Sequence, residues 1–372
     1  MRNDFGKRLG FGFLRLPHID PNDPTDVDLE ACKEMIDLFM ERGFRYFDTA
    51  YIYLNGKSEI FLRQALVERY PREAFMIATK LPCYLLNENN RQEDIFEKQL
   101  ENCGVDYFDV YLLHGLDAED AQIAEEQDSF GFLQRLKAEG KVKMTGLSFH
   151  DTADVLDDIL TRHPELDVVQ IQLNYLDWDH EIIQSGACYE VCRKHGKPVI
   201  VMEPVKGGTL ANIPEEARVF LNGEAPARRA LRFAASQEEV ALVLSGMSTL
   251  EQINENTSLM MDFVPLSKEE TEVLDEIRKI VKASVAIPCT GCSYCTEGCP
   301  AGIPIPRYFK LYNERVRDGW QVYAEGRYAD AAKHFAPASA CIGCGQCEEK
   351  CPQKLTVIEY MQKVSELFDK AE

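Results

Sequence analysis

The sequence predicts a closed (β/α)8 TIM barrel followed by a small α-helical module, and three observations predict it. Short apolar, β-rich runs alternate with amphipathic segments through the first 260 or so of 372 residues. Eight such units in that length match a closed barrel. Beyond them the composition changes, and the cysteine run Cys-x2-Cys-x2-Cys-x3-Cys-Pro occurs twice. The expected layout is a barrel over residues 1–266, a connector helix within 267–286, and a cysteine-rich domain over 287–372.

Taken in order, the expected strands are residues 12–16, 46–49, 75–80, 109–114, 144–149, 168–174, 198–203 and 241–246. The helical segments between them are 29–42, 59–69, 92–102, 130–139, 155–162, 182–195, 227–237 and 250–261. Gly43, Gly104, Gly140 and Gly196 follow helices where a left-handed stop is expected. An open doubly wound sheet is the alternative, but the first strand–helix turn carries no G-x-G-x-x-G. A connector helix over 268–282 leads into the cysteine-rich domain. There, helical stretches near 307–318 and 329–335 fill the 41 residues between Cys299 and Cys341.

The net charge is −21, and from Ile287 onward 10 Lys+Arg face 11 Asp+Glu, so the acidic excess lies in the barrel. A phosphate backbone needs a basic face, so nucleic acid is not an expected partner. No run of about 18 apolar residues is present, which argues against a membrane span. Met1-Arg2-Asn3-Asp4-Phe5-Gly6 lacks the apolar core of a signal peptide. Of 13 cysteines, Cys32, Cys83, Cys103, Cys188 and Cys192 are scattered. Free thiols beside the cysteine runs point to a reducing, oxygen-poor cytoplasm.

The runs themselves are Cys289-x2-Cys292-x2-Cys295-x3-Cys299-Pro300 and Cys341-x2-Cys344-x2-Cys347-x3-Cys351-Pro352. Two-cluster ferredoxins hold a pair of 4Fe-4S cubes with this spacing, the fourth cysteine of each run reaching the other cube. One cube then takes Cys289, Cys292, Cys295 and Cys351, and the other takes Cys341, Cys344, Cys347 and Cys299. Two zinc sites are the alternative, but zinc ribbons use paired Cys-x2-Cys without a third close cysteine. The long insert between the runs favours an α-helical ferredoxin-like domain over a compact βαβ one.

In a barrel of this kind, reactive side chains sit where strands end. Asp48 ends the second expected strand, with Tyr53 in the loop after it. Lys80 ends the third and His114 the fourth. Singly, each has a plain reading: a helix cap, a solvated lysine, a satisfied core histidine. Together at one end of consecutive strands they suggest a site.

At this point the chain resembles the aldo-keto reductase superfamily. The residues that carry the resemblance are Phe47-Asp48-Thr49-Ala50, Tyr53, Ser58-Glu59, Thr79-Lys80, Leu113-His114, Gly146-Leu147-Ser148, Gln170, Leu244-Ser245-Gly246 and Glu255-Asn256, over about residues 9–262. With its tail, the chain resembles the ferredoxin-tailed subgroup. The resemblance implies hydride transfer between NADP(H) or NAD(H) and a carbonyl or alcohol, with Asp48, Tyr53, Lys80 and His114 as catalytic residues. A tyrosine is a weak acid at neutral pH, and a neighbouring ammonium makes it a better one. Tyr53 is then the general acid/base, Lys80 its tuner, Asp48 the anchor of Lys80, and His114 the residue that orients the carbonyl. Tyr51 is a rival acid, and only the family's Asp-to-Tyr spacing selects Tyr53.

The resemblance also places cofactor contacts at Ser148, Gln170, Met202, Pro204, Gly207, Gly208, Leu210, Ser245, Gly246, Met247, Ser248, Gln252 and Asn256. The glycine pair Gly207-Gly208 lets backbone N–H groups approach a pyrophosphate, though an ordinary turn reads the same way. The helix after Ser245-Gly246-Met247-Ser248 presents its N-terminus to a phosphate. Phe149 stands in place of a customary Asn, Met202 in place of a stacking Tyr, and Gly246 and Gln252 in place of basic residues. The choice between NADPH and NADH is therefore open.

Hydride moves two electrons together, whereas each cube carries one. Three readings follow. A flavin or quinone splits the pair, so that the cubes serve a ferredoxin or flavodoxin partner. Alternatively, the cubes are structural or redox-sensing beside a carbonyl reductase. In the third, the barrel has lost its chemistry. Eight ligands are more than a staple requires, and the tetrad is intact, so the first is preferred. Trp178, Tyr84, Phe149 and the acidic 117–128 loop are candidates to line the substrate pocket.

Overall fold

The computed structural model describes residues 5–20, 23, 25–181, 183–318 and 321–369. Ile182, first in the expected 182–195 helix, and residues 1–4 of the N-terminus lie outside them. The chain divides into two compact units, Met1–Val205 with Arg228–Lys268, and Lys206–Ala227 with Glu269–Glu372. The second unit thus takes in both the connector and an excursion, Lys206–Ala227, that leaves the chain after the seventh strand.

In the first unit eight parallel strands close on themselves: β1 Leu9–Gly12, β2 Tyr46–Asp48, β3 Met76–Leu81, β4 Phe108–Leu116, β5 Val142–Phe149, β6 Val168–Gln172, β7 Val199–Met202 and β8 Val240–Ser245. Every residue of β3, β6 and β8 is buried, as a sheet lined by helices outside and side chains inside requires. Helices connect the strands. Asp28 caps Leu29–Glu41 by accepting from Ala31 N at 3.0 Å, and Thr249 caps Leu250–Met261 through Gln252 N. Gly104, at φ +67°, closes Gln92–Cys103 as a left-handed stop, and Gly43, Gly140 and Gly196 adopt the same region.

The barrel interior is filled by Phe5, Tyr46, Met76, Ala78, Val110, Leu112, Val168, Ile200, Leu242 and Leu244. Strand side chains alternate with period two. Stepping two residues toward the C-terminal end from these interior positions reaches Asp48 from Tyr46, Lys80 from Ala78, and His114 from Leu112. The same step reaches Gln170 from Val168 and Met202 from Ile200. The strands are staggered, since Asp48 pairs with Ala78 and Lys80 with Leu112, while Ser148 pairs with Gln170. Alternation alone therefore turns the apolar core into a polar floor at one end of the barrel.

One strand lies elsewhere than expected. Residues 12–16 read as the first strand, but β1 is Leu9–Gly12. Its two glycines resemble a turn in the sequence. A Cβ on Gly10 would meet Leu244 Cδ2 at 2.6 Å and Tyr46 Cδ1 at 2.9 Å, so the glycine admits its neighbours' bulk.

The second unit is helical among its described residues, with Leu274–Ser284, Ile305–Asp318, Gln321–Ala331 and Val357–Phe368 as its longer elements. Its core comprises Ile287, Ile303, Tyr308, Phe309, Met361 and Val364. Asn313 clamps the start of the cysteine segment, donating from Nδ2 to Ile287 O at 2.7 Å and accepting from Ile287 N at 2.8 Å. Tyr328 Oη donates to Asp369 Oδ1 and accepts from Ala338 N, both at 2.7 Å. The second inserted helix begins earlier than the expected 329–335. Gly326 reads as a break, yet it sits inside the helix with open space around it.

Candidate functional site

Lys80 organises the barrel's polar floor. It is fully buried, and its Nζ donates to Asp48 Oδ1 at 2.6 Å and to Thr49 O at 2.7 Å. Its Nζ also lies 4.8 Å from the centre of the Tyr53 ring. Burial alone would strip the ammonium of its proton. Asp48 and Tyr53 outweigh burial and hold Lys80 above the usual lysine range. Burial likewise pushes the Asp48 carboxyl up, against the pull of Lys80. The ion pair is the state we adopt, because the short contacts to Asp48 and Thr49 O both favour the cation.

His114 completes the group. Its ring stands 5.6 Å from that of Tyr53, at 74°. Burial, then the charge of Lys80, then His150, hold its pKa well below the ordinary imidazole value. A neutral ring still donates one hydrogen bond, which is what a carbonyl oxygen accepts. His150 was not singled out in the sequence. Its place directly after Ser148-Phe149 at the end of β5 is the only signal that could have found it.

Tyr53 opens a short helical turn, Tyr53–Gly56, and is buried. Leu54, Asn55 and Gly56 all adopt left-handed backbone, at φ +53°, +54° and +76°. This bend carries the chain from Tyr53 to Ser58. The loop is then pinned behind the floor. Ser58 Oγ lies 2.8 Å from Thr49 Oγ1 and donates to Phe13 O at 3.1 Å. Glu59 Oε1, fully buried, accepts from Thr79 Oγ1 at 2.6 Å and from Gln99 Nε2 at 2.8 Å, while Gln99 accepts from Tyr111 Oη. The Ser58-Glu59 pair thus has a physical role of its own, holding the tyrosine loop to β2 and β3. Tyr51, the rival acid, is half-buried.

The cofactor candidates fall into three sets. Ser148 Oγ accepts from Gly115 N at 2.7 Å, and Gln170 Nε2 donates to Met202 Sδ at 3.5 Å. Gln170 Oε1 is buried with no hydrogen-bond partner among the described residues. A nicotinamide carboxamide would supply the missing donor, so these residues fit that ring. After β8, Ser245 Oγ accepts from Asn256 Nδ2 at 3.2 Å, Ser248 N donates to Gln252 Oε1 at 2.7 Å, and Ser248 Oγ to Arg15 O at 3.0 Å. Met247 is buried, and Gly246 lies 3.1 Å from the Arg15 side chain by its missing Cβ. The third set, Gly207, Gly208 and Leu210, belongs to the second unit, while Pro204 lies in the barrel unit. Gly208 has open space, but a Cβ on Gly207 would lie 2.2 Å from Thr290 O. That approach alone requires a glycine at 207.

Of the residues considered for the substrate pocket, Trp178 packs on Tyr189 and Phe233, Phe149 is buried and Tyr84 is exposed. The 117–128 segment forms a helix, Ala118–Glu126, capped by Asp117.

In the second unit the cysteines form two groups. Cys295 is influenced electrostatically by Cys292, Cys289 and Cys351. A separate cavity is lined by Cys299, Cys341, Cys344 and Cys347, with Pro300, Ile303 and Met361. Cys351 thus acts on the first run's Cys295, and Cys299 lines the cavity with the second run's cysteines. Among the described residues no three His, Cys, Asp or Glu close on a single ion. Four thiols spread around a cavity fit a cube better than one zinc.

A closed parallel barrel with a Lys–Asp–Tyr–His floor at its C-terminal end defines an oxidoreductase class, and comparison with known proteins specifies it. The aldo/keto reductase family profile matches residues 8–279, and that of the 4Fe-4S dicluster domain matches residues 288–356. The chain belongs to the aldo/keto reductase family and is an oxidoreductase of that type. It is 25% identical over 310 residues to the NADH-specific methylglyoxal reductase of Escherichia coli, covering 69% of this chain and 90% of that protein. It is also 25% identical over 296 residues to L-galactose dehydrogenase of Arabidopsis thaliana, covering 74% and 90%. Among solved structures, aldo-keto reductase AKR11C1 from Bacillus halodurans in its holo form superposes with a TM-score of 0.59 at 22% identity, covering 73% and 91%. An aldo-keto reductase from Klebsiella pneumoniae in complex with NADPH gives 0.58 at 20%, covering 73% and 90%. Both structures share the barrel fold.

Proposed function

We propose that this protein transfers hydride between a nicotinamide dinucleotide and a small carbonyl, alcohol or quinone. We propose further that its tail binds two 4Fe-4S cubes that exchange electrons with a ferredoxin- or flavodoxin-like partner. The observation that carries the first part is a fully buried Lys80 bonded to Asp48, with its Nζ 4.8 Å from the centre of the Tyr53 ring. Nothing in a stable barrel requires a cation there, and proton transfer to a nascent alkoxide does.

When bound, a reduced nicotinamide supplies the hydride to the carbonyl carbon. Tyr53 gives its hydroxyl proton to the carbonyl oxygen as charge develops there. Lys80 stabilises the phenolate left behind, and Asp48 with Thr49 O fixes the ammonium in place. His114, kept neutral by its surroundings, donates to the same carbonyl oxygen and sets its direction. Gln170 and Ser148 would hold the carboxamide, and the residues after β8 the adenosine side. The relatives that act on methylglyoxal and L-galactose support a small oxygenated substrate.

The eight cysteines would hold the cubes in the two exchanged groups described above. Each cube carries one electron at a time. A two-electron carrier that releases single electrons, a flavin or a quinone substrate, has to stand between hydride and cubes. Exposed Cys344 and Ile342 favour exchange with an outside partner over a purely structural staple.

The test is anaerobic. Protein with reconstituted clusters is mixed with NADH or NADPH and a panel of aldehydes, ketones and quinones, while optical and spin-resonance spectra are followed. Cofactor oxidation with a carbonyl supports the barrel chemistry, and cube reduction during turnover supports the relay. Carbonyl turnover with cubes that never change state would leave a reductase with structural clusters.

A further inference from the structure

Lys206 is a buried cation that the barrel chemistry does not use. It is 3% exposed, and its Nζ donates to Gln353 Oε1 at 3.0 Å. Gln353 is itself 5% exposed and stands two residues after Cys351. The next residue, Gly207, at φ +62°, approaches Thr290 so closely that a Cβ would lie 2.2 Å from its carbonyl oxygen. Thr290 is 3% exposed and directly follows Cys289. Two independent contacts therefore hold the Lys206–Gly207 pair against the segments that flank two thiols of one group, Cys289 and Cys351. All of these residues belong to the second unit.

We propose that Lys206 sets the reduction potential of the cube held by Cys289, Cys292, Cys295 and Cys351, raising it relative to the cube held by Cys299, Cys341, Cys344 and Cys347. This rests on the two-cube reading above. A cube with four thiolates is anionic, and taking up one electron, from a partner or a titrating reductant, makes it more so. A cation fixed nearby in a low-dielectric interior favours the more negative, reduced form. Beside the other group the described cation is Lys350, whose Nζ would lie 3.0 Å from a Cβ on Gly298, next to Cys299, but Lys350 is exposed and so screened by water. Cys344 of that group is open to water too, with Ile342 beside it at 72% exposure. Lys206 acts here as a positioning residue, tying the excursion after β7 to one cube and biasing which cube holds the electron.

The experiment is a spin-resonance-monitored redox titration of the anaerobically prepared full-length chain, with iron and sulfide analysis of each sample. Wild type is expected to hold about eight irons and to show two one-electron transitions. Lys206→Met, which keeps the length and removes the charge, is expected to lower one midpoint and leave the other in place. At a fixed potential the reduced fraction of that cube should fall relative to the oxidised by roughly tenfold, a shift of about 59 mV. Lys206→Arg is expected to restore it. Equal shifts of both transitions, or none at full iron content, would overturn the proposal. Should Lys206→Met lose iron, Lys206→Gln and Gln353→Leu are titrated under the same criteria, the second keeping the charge but freeing its tether. Wild-type protein that binds zinc or a single cube would instead defeat the two-cube reading on which this inference rests, an outcome the metal analysis separates from an unshifted midpoint.

Discussion

Lys80 and Asp48 depend on one another at the level of single residues. Breaking a buried ion pair from one side is destabilising by about 3–5 kcal/mol when the survivor stays charged. Asp48 already has its pKa pushed up by burial, so without Lys80 it can take a proton and become neutral. Lys80 is held charged against burial by its partners, so without Asp48 it can give up a proton and become neutral in turn. Asp48→Asn and Lys80→Met are therefore each expected to lower stability in denaturant unfolding, by less than about 3–5 kcal/mol. Both variants are expected to lose carbonyl reduction by about 10²-fold or more. His114 gives a pH signature. Its folded pKa is depressed, so below about pH 6.5 the unfolded chain binds a proton that the folded chain refuses. Stability should fall as pH drops from about 6.5, and His114→Gln should flatten that limb of a Tm-against-pH curve. At this scale Asp48, Lys80 and His114 were legible because each ends an apolar run. Tyr53 was legible only through family spacing, and His150 not at all, since contact with His114 is made across two strands.

At the scale of elements, the strands followed from apolar runs and the helices from their periodicity, and the misses have local causes. The first strand was displaced because glycines that serve close packing look like turn residues. Gly146 is the sharper case. A Cβ there would lie 2.1 Å from Val168 O, so β5 and β6 approach only over a missing side chain. Gly146→Ala is expected to destabilise by about 1–3 kcal/mol or more as the strands part. Gly140 makes the control: it has open space but φ +73°. Gly140→Ala should lose only about 1–2 kcal/mol through backbone strain. Equal losses in chemical denaturation would contradict the close-approach account. The left-handed bend Leu54–Gly56 was not legible, because Leu54 is an unlikely residue by type for that conformation.

For the molecule as a whole, the cysteine spacing was the clearest feature of the sequence, and in the structure Cys299 lines a cavity together with Cys341, Cys344 and Cys347. Cys299→Ser is expected to lose iron from the group containing Cys341, Cys344 and Cys347, while the Cys289 group keeps its own. Iron analysis with spin-resonance spectra of each reduced variant checks this, and loss from the Cys289 group instead would refute the exchange. What the sequence did not reveal was the allegiance of Lys206–Ala227 to the second unit. Its composition resembles an ordinary loop after a barrel strand, and its glycines invite a phosphate. Its tie depends on Thr290 and Gln353, which are far away along the chain and carry no motif. No helix among the described residues is long and apolar enough to cross a membrane.

On the proposed mechanism the Tyr53 hydroxyl, made more acidic by the buried Lys80 amine, delivers the proton. The most direct test compares the single-turnover rate of carbonyl reduction in Tyr53→Phe and Tyr51→Phe, each saturated with the better nicotinamide. The account predicts a loss of about 10²–10⁴-fold for Tyr53→Phe and a rate near wild type for Tyr51→Phe. The reverse ranking, or full activity without the Tyr53 hydroxyl, would contradict it.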